Sequence, residues 1–115
     1  MSSNQGKLAE DLAAEFLKQQ GLKLVNRNFR CRYGEIDLIC EEARILIFVE
    51  VRFRSNMNFG NAESSVTYQK QQKIIAAAQF YLSQLKSQPI CRFDVVALDK
   101  LDKNSIHWIK NAFEA

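Results

Sequence analysis

The chain has little of what extended, secreted or membrane-embedded proteins contain. One proline and four glycines among 115 residues leave little material for long flexible linkers, and a 47% hydrophobic composition excludes a disordered chain. No apolar run approaches the ~20 residues of a membrane-spanning helix. The first six residues lack the basic and apolar regions of a signal peptide. We therefore expect one domain over residues 1–115 that remains in the cytoplasm and has no membrane partner.

Cysteine and histidine are too sparse for the common metal and nucleophile sites. The three cysteines, Cys31, Cys40 and Cys91, are odd in number and form no C-x-x-C pair, which disfavours disulfides and zinc. Three reduced, mostly buried thiols are the expectation. No serine lies in a nucleophile-elbow context and no glycine-rich phosphate loop is present, so acyl transfer and nucleotide binding are disfavoured.

Positive charge is modest overall but unevenly placed. Sixteen basic and 13 acidic residues give a net charge of +3, too small to establish a polyanion partner. Six of the seven arginines, at positions 27, 30, 32, 44, 52 and 54, fall within one 28-residue stretch. This clustering is as consistent with a solvated surface as with binding to phosphates.

Hydrophobic periodicity predicts secondary-structure elements in the order αβββαββ. Apolar residues at helical spacing predict helices at 6–20 and 67–86. Strands are predicted at 22–32, 35–41, 45–53, 92–98 and 105–109, with a short turn near Ala43 and Arg44. The polar stretch 55–65 is predicted to be a binding loop. The pattern indicates an α/β domain in which helices cover a mixed sheet.

Two acids in the predicted hairpin are the first candidates for chemistry. A short turn that pairs residue 41 with residue 46 also places Asp37 opposite Glu50, with Cβ atoms about 4.5–5.5 Å apart. Carboxylates at this distance repel each other, and a divalent cation such as Mg²⁺, which takes oxygen ligands, would remove the repulsion. Glu50 interrupts an apolar strand, so it needs a metal, an arginine or a water-filled cleft as its partner. A structural ion pair with Arg52 or a neighbouring arginine is the alternative.

Three further residues stand out by their position. Lys70 falls at the centre of the apolar arc of the second helix, where it either snorkels from the helix end or leans over the sheet toward the acids. Glu10 lies at the rim of the apolar arc of the first helix. Asp94 interrupts an apolar strand, and we favour a structural role for it.

Two runs of residues around the acids carry a family resemblance. They are Gly34-Glu35-Ile36-Asp37-Leu38-Ile39 and Phe48-Val49-Glu50-Val51-Arg52-Phe53-Arg54, supported by Gly6-x3-Glu10-x2-Ala13, by the segments 26–30 and 92–96, and by Lys70. Together these motifs resemble the YraN-type family of small bacterial endonuclease-like proteins, over about residues 6–98. That family is similar to archaeal Holliday-junction resolvases and to the PD-(D/E)xK superfamily. The resemblance implies a restriction-endonuclease-like fold, a mixed sheet flanked by helices.

The resemblance also implies a catalytic centre. Its matching positions are the acidic metal ligands Asp37 and Glu50, the backbone carbonyl of Val51 as a further ligand, the first-helix glutamate Glu10, and the helix lysine Lys70. The chain departs from the motif at Arg52, where the motif usually has lysine. Arginine keeps its proton and cannot activate water, but it can bind a phosphate and stabilise charge that develops there.

The function implied is hydrolysis of phosphodiester bonds in branched or otherwise structured DNA, with Mg²⁺ or Mn²⁺ as cofactor. The arginines near the second and third strands would contact the DNA backbone: Arg27, Arg30, Arg32 and Arg54. A homodimer is expected by analogy with resolvases, since two strands need two cleavage centres. Two alternatives are a nucleic-acid-binding domain with a decayed active centre and a protein-interaction module whose buried acids are only ion pairs.

Overall fold

The computed structural model describes residues 4–54 and 66–115, and the predicted binding loop 55–65 lies outside them. Helix α1 (Asn4–Gln19) precedes three strands, β1 (Lys23–Cys31), β2 (Gly34–Glu42) and β3 (Ile45–Phe53). Helix α2 (Tyr68–Ser83) is followed by β4 (Cys91–Leu98), a 3-10 turn (Lys103–Ser105) and β5 (Ile106–Phe113). The predicted order αβββαββ is confirmed. The predicted last strand, 105–109, is too short.

The five strands form one mixed sheet in the order β1-β2-β3-β4-β5. Neighbours are antiparallel except β3 and β4, which are parallel because α2 carries the chain from one to the other. The β2–β3 hairpin turns through Ala43 and Arg44, whose φ values of 50° and 70° are typical of a two-residue type I′ turn. This turn pairs Glu41 with Leu46, so the predicted register is confirmed.

The sheet separates two hydrophobic cores, because its strands present apolar side chains to both faces. Alanines make up half or more of the buried residues in each helix and allow the helices to lie close to the sheet: Ala9, Ala13 and Ala14 in α1, Ala77 and Ala78 in α2. Within β3, Val49 belongs to the core under α1 and Phe48 to the core under α2. By the same alternation Glu50 and Arg52 lie on the α2 face of the sheet.

Asp94 has structural partners, in agreement with the role favoured from sequence. Its buried carboxylate accepts hydrogen bonds from Arg92 Nε (3.0 Å), Trp108 Nε1 (2.9 Å) and the backbone N–H of Asn111 (2.9 Å). Asn111 has a positive φ of 53° and lies where the register between β4 and β5 shifts. The carboxylate therefore satisfies a donor that this bulge leaves outside the ladder. Beyond this bulge β5 continues to Phe113, which pairs with Phe93.

Asp94→Ala should lower the free energy of unfolding by about 3–5 kcal/mol. The substitution leaves buried donors without their acceptor and removes the charge that partners Arg92. Urea denaturation followed by circular dichroism measures the loss. Asp99→Ala, at a half-buried acid directly after β4, is the matched control and should cost under about 1 kcal/mol. Similar losses in the two variants would contradict the structural role of Asp94.

The predicted burial of the thiols holds for one cysteine of three. Cys40 is buried within β2, whereas Cys31 and Cys91 are half-buried because they lie at the ends of β1 and β4. All three thiols are free. In the part of the chain that the structure describes, no helix is long and apolar enough to cross a lipid bilayer.

Candidate active site

A cleft of about 620 Å³ lies where the end of β3 meets α1 and the first turn of α2. All five residues predicted to be catalytic line it: Glu10, Asp37, Glu50, Arg52 and Lys70. Val51 and Arg54, predicted as a metal ligand and a DNA contact, line it as well. Four elements contribute these residues, so the fold assembles in one place what the sequence distributes over more than half of the chain.

At the floor of the cleft, the side chain of Asp37 bridges strands β2 and β3. Their pairing runs from the turn to Leu38 and Val49. One residue further along β2, Asp37 Oδ2 accepts a hydrogen bond from the backbone N–H of Val51 at 2.8 Å. Because the N–H and C=O of a strand residue point to the same edge of the strand, the Val51 carbonyl is also directed toward β2. The predicted carboxylate and carbonyl ligands therefore meet at one gap.

Asp37 and Glu50 interact directly in a largely buried setting. The hairpin register places them opposite each other, and a side-chain hydrogen bond joins their carboxyl groups. Glu50 is only 5% exposed. Burial raises the pKa of Asp37 to about 8; the charge of Glu50 adds to this rise and the Val51 N–H opposes it. In the absence of a cation, the pair therefore retains a proton near pH 7, and this proton joins the two carboxyl groups.

Two cations approach Glu50 from the other side of the cleft. Lys70 Nζ lies 3.6 Å and Arg52 Nη1 3.7 Å from Glu50 Oε2. Lys70 is fixed in the first turn of α2, where its backbone N–H donates to the N-cap hydroxyl of Thr67 at 3.1 Å. Of the two orientations considered for Lys70, the side chain takes the one that leans over the sheet. Glu50 thus has both an acidic partner and cationic partners.

Glu10 enters the cleft from the buried face of α1, where it is 8% exposed. The amide of Asn28 donates to its carboxylate, and Arg27 Nη2 lies 3.6 Å from Oε1. Burial, and then the charge of Asp37, raise the pKa of Glu10. Within the described residues, no group of three or more His, Cys, Asp and Glu side chains is close enough to hold a metal. Glu10 is therefore coupled to Asp37 electrostatically without completing a three-carboxylate cluster.

The two predicted DNA contacts nearest the cleft differ in their surroundings. Arg54 is exposed at the end of β3 and lines the cleft. Arg27 is half-buried and pairs with Asp11 at 2.8 Å as well as with Glu10. Its charge is balanced by α1, so Arg54 is the better placed of the two to bind a phosphate.

The other two predicted DNA contacts, Arg30 and Arg32, lie beside the β1–β2 turn. They line a separate hollow together with Tyr33 and Lys73. Arg30 Nε pairs with Glu35 Oε2 at 3.3 Å, and Arg32 Nη2 donates to the Tyr33 hydroxyl at 2.7 Å. The four predicted DNA contacts therefore divide between two surfaces.

Sequence reasoning missed Asn28, which helps to orient Glu10. Asn28 lies in β1 with a positive φ of 53°, a conformation that asparagine tolerates better than most residues. Its amide bonds to Glu10 across the gap between strand and helix. The sequence offered little signal, since Asn28 is one of three consecutive polar residues in a predicted strand and falls on its polar face.

Comparison with known proteins identifies the family. Residues 9–98 match the family model described as uncharacterised protein family UPF0102. The chain belongs to this family. It is 52% identical over 118 residues to a UPF0102 protein of Legionella pneumophila strain Philadelphia 1, an alignment that covers 100% of this chain and 98% of that protein. It is 51% identical over 109 residues to one of Nitrosospira multiformis, covering 95% and 92%. The YraN-type resemblance is to this same family and is confirmed.

The donor set of this UPF0102 chain fits a small divalent cation. Asp37 and Glu50 supply carboxylates in contact, and the Val51 carbonyl is directed toward the same gap. Mg²⁺ commonly takes one or two carboxylates from a protein and keeps several water ligands, so a third carboxylate is not required. A cation here would also relieve the repulsion between the two acids when both are charged.

Proposed function

We propose that this UPF0102 protein is a metal-dependent nuclease-like enzyme that hydrolyses phosphodiester bonds in structured DNA. The observation that supports this most is the contact between the buried carboxyl group of Glu50 and the half-buried carboxyl group of Asp37, inside a cleft that also presents Arg52, Arg54 and Lys70. Two acids held together without a cation cost the fold stability when both are charged. Their presence at an opening lined by cations favours a site for a metal and a phosphate.

In this proposal Asp37, Glu50 and the Val51 carbonyl hold Mg²⁺ or Mn²⁺. When bound, such a cation polarises a phosphate oxygen and lowers the pKa of a water molecule. The Asp37 carboxylate is kept in place by the Val51 N–H. Glu10, whose pKa is raised by burial, lines the same cleft and is suited to accept a proton from water.

Lys70 and Arg52 have distinct roles in the same proposal. Both lie within 4 Å of Glu50 Oε2, at 3.6 and 3.7 Å, and form ion pairs with this proposed ligand. Arg52 stays protonated and therefore serves as an electrostatic group rather than a base. Its guanidinium is suited to bind the scissile phosphate and to stabilise the charge that develops there.

A nucleic-acid-binding domain without catalysis is the second candidate. The observation that favours it is Arg52 at the position where the related nuclease motif usually has lysine. In that case the cleft binds a phosphate but does not activate water. The third candidate, a protein-interaction module, is favoured by the ion pairs that Glu50 forms with Lys70 and Arg52.

One experiment separates the three candidates. Protein is incubated with labelled duplex, nicked and four-way DNA while Mg²⁺ or Mn²⁺ is titrated. Metal-dependent cleavage of branched DNA supports the nuclease, metal-independent binding supports the binding domain, and absence of binding supports the interaction module.

Sedimentation of the protein with four-way DNA tests the proposed homodimer, which brings two cleavage centres to two strands.

Arg54→Gln should weaken DNA binding at all sequences and reduce the slope of log K against log[salt] by about 1. Arg54 is exposed at the mouth of the cleft, where it would neutralise one phosphate. Arg44→Gln, in the β2–β3 turn at the far end of the hairpin, is the matched control. Fluorescence anisotropy over a range of salt concentrations gives both slopes. An unchanged slope in Arg54→Gln would place the DNA backbone away from the cleft.

A further inference from the structure

Large aromatic side chains are exposed on the surface around the β1–β2 turn. Tyr33 in the turn is 41% exposed and Phe80 on α2 is 36% exposed. Their ring centroids lie 5.8 Å apart. Basic side chains border the rings, and we call the combined surface the aromatic platform: Tyr33, Phe80, Arg32 and Lys73. The proposed chemistry does not use this surface.

A series of ring contacts fixes the platform to the hydrophobic core. Phe80 contacts Phe29, with centroids 6.4 Å apart, and Phe29 meets Tyr81 edge-to-face at 5.1 Å. Tyr81 in turn contacts the fully buried Phe48 at 6.0 Å. Rings that are held in this way lose little conformational freedom when a ligand packs on them. The platform is thus preorganised for stacking.

Gly34 attaches the turn to α2 at a second point. A Cβ at Gly34 would lie 2.9 Å from the carbonyl oxygen of Lys73, so the turn packs directly on the helix backbone. This contact sets the position of Tyr33 relative to Phe80, which lies two turns after Lys73 on α2. The two rings therefore form one surface although they are far apart in sequence.

The charges of the platform are complementary to a phosphate chain. Arg32 packs on Tyr33 with Cζ 4.9 Å from the ring centroid, which holds its guanidinium beside the stacking surface. Arg30, Arg32 and Lys73 line the adjacent hollow against a single carboxylate, Glu35. Cations beside exposed rings are the arrangement by which proteins bind single-stranded nucleic acid, with bases on the rings and phosphates on the cations.

The platform lies within reach of a nucleic acid strand bound in the active-site cleft. Asp37 follows Tyr33 by four positions in the chain, and at ~3.3 Å per strand residue this is roughly 13 Å. About four stacked nucleotides at ~3.4 Å each span such a distance. On α2, Lys70 lines the cleft and Lys73, one turn later, lines the hollow beside the platform. One nucleic acid strand can therefore contact both surfaces.

We propose that the aromatic platform binds an unpaired single-stranded segment of DNA that flanks the bond in the cleft. This inference rests on the proposed function for the placement of the strand, but binding at the platform requires neither metal nor cleavage. Bases within an intact duplex already stack on each other and do not offer a free face to Tyr33 or Phe80. The substrate class is accordingly DNA with a single-stranded arm or unpaired bases, in preference to blunt duplex.

The test measures affinity in EDTA, so that cleavage cannot contribute. Anisotropy compares a blunt labelled duplex with the same duplex carrying a ten-nucleotide single-stranded arm. Tyr33→Leu and Phe80→Leu should each weaken binding of the armed DNA about 10-fold and leave binding of the blunt duplex within about twofold. Tyr33→Phe keeps the ring and should bind armed DNA nearly as the parent does. Circular dichroism confirms folding, and Tyr33→Leu carries the test if Phe80→Leu unfolds.

Tyr68→Leu is the matched control, because it removes a 73% exposed ring from the other end of α2. It should leave both affinities unchanged, and an equal loss in this variant would overturn the platform. Armed-DNA affinity that persists in Tyr33→Leu and Phe80→Leu, with loss only in Arg54→Gln, overturns the platform and leaves the proposed function standing. A parent protein that binds neither DNA overturns both proposals, and a partner protein at this surface becomes the alternative.

Discussion

Glu50→Gln is expected to abolish metal-dependent cleavage, by about 10³-fold or more, while the fold survives. Glutamine keeps the volume and hydrogen-bonding capacity of a side chain that is only 5% exposed. It removes the charge that would hold the cation beside Asp37. Without the cation the transition state loses several kcal/mol of electrostatic stabilisation, which corresponds to a cleavage rate about 10³-fold lower. Single-turnover cleavage and Mn²⁺ titration of the same preparation measure the two effects.

Asp37→Asn should also abolish metal binding, and in addition it should stabilise the metal-free protein. Asparagine can still accept the hydrogen bond from Val51 and can donate one to Glu50. The pKa of Asp37 is raised from 3.8 to about 8 on folding, so the folded protein retains a proton that the unfolded chain loses between these pH values. The free energy of unfolding of the parent therefore falls as the pH rises from about 4 to about 8. Asparagine does not titrate, so the Asp37→Asn variant does not lose stability in this way.

The expected stabilisation by Asp37→Asn can be measured without DNA. In EDTA, Asp37→Asn and the parent should unfold at similar urea concentrations at pH 4, and the variant should be more stable by roughly 1–3 kcal/mol at pH 8. Glu41→Gln, at an exposed acid on the same strand, serves as the control. A variant at either active-site acid that unfolds at much lower urea while metal affinity is unchanged would show that the two acids are structural partners.

The arrangement of the acids could be anticipated because it depends on local rules. A two-residue turn at Ala43 and Arg44 fixes the hairpin register, and side-chain alternation then brings Asp37 opposite Glu50. Helical spacing likewise placed Glu10 at the rim, and Lys70 at the centre, of the apolar arcs of their helices. These positions follow from backbone periodicity alone, whatever the rest of the fold does.

Features that depend on contacts between distant segments could not be anticipated in this way. Arg27 was predicted to contact DNA, but docking of α1 beside β1 supplies Asp11 as a partner at 2.8 Å. The bulge of β5 at Asn111 is satisfied by Asp94, which belongs to another strand. The exposure of Tyr33 depends on how its turn packs against α2. In each case the contact is made by a segment that is distant in sequence, and tertiary packing determines where that segment lies.

Substitutions of Arg52 distinguish a nuclease from a protein that only binds DNA. Its side chain is mostly buried and its Nη1 lies 3.7 Å from Glu50 Oε2, so a phosphate next to the proposed cation would be within its reach. Lysine in its place keeps the positive charge, is more compact, and can lose its proton when desolvated beside Lys70. Alanine removes the charge and leaves Glu50 with one cationic neighbour fewer.

Arg52→Ala is therefore expected to lower single-turnover cleavage about 10²–10³-fold, whereas Arg52→Lys should retain the parent rate or exceed it. The parent itself should show weak Mn²⁺-dependent nicking, because arginine can stabilise the developing charge but cannot take a proton from water. If the protein only binds DNA, Arg52→Lys creates no cleavage and changes the affinity modestly. Glu50→Gln purified in the same way is the control, and equal cleavage by Glu50→Gln and Arg52→Ala would assign the activity to a contaminating nuclease.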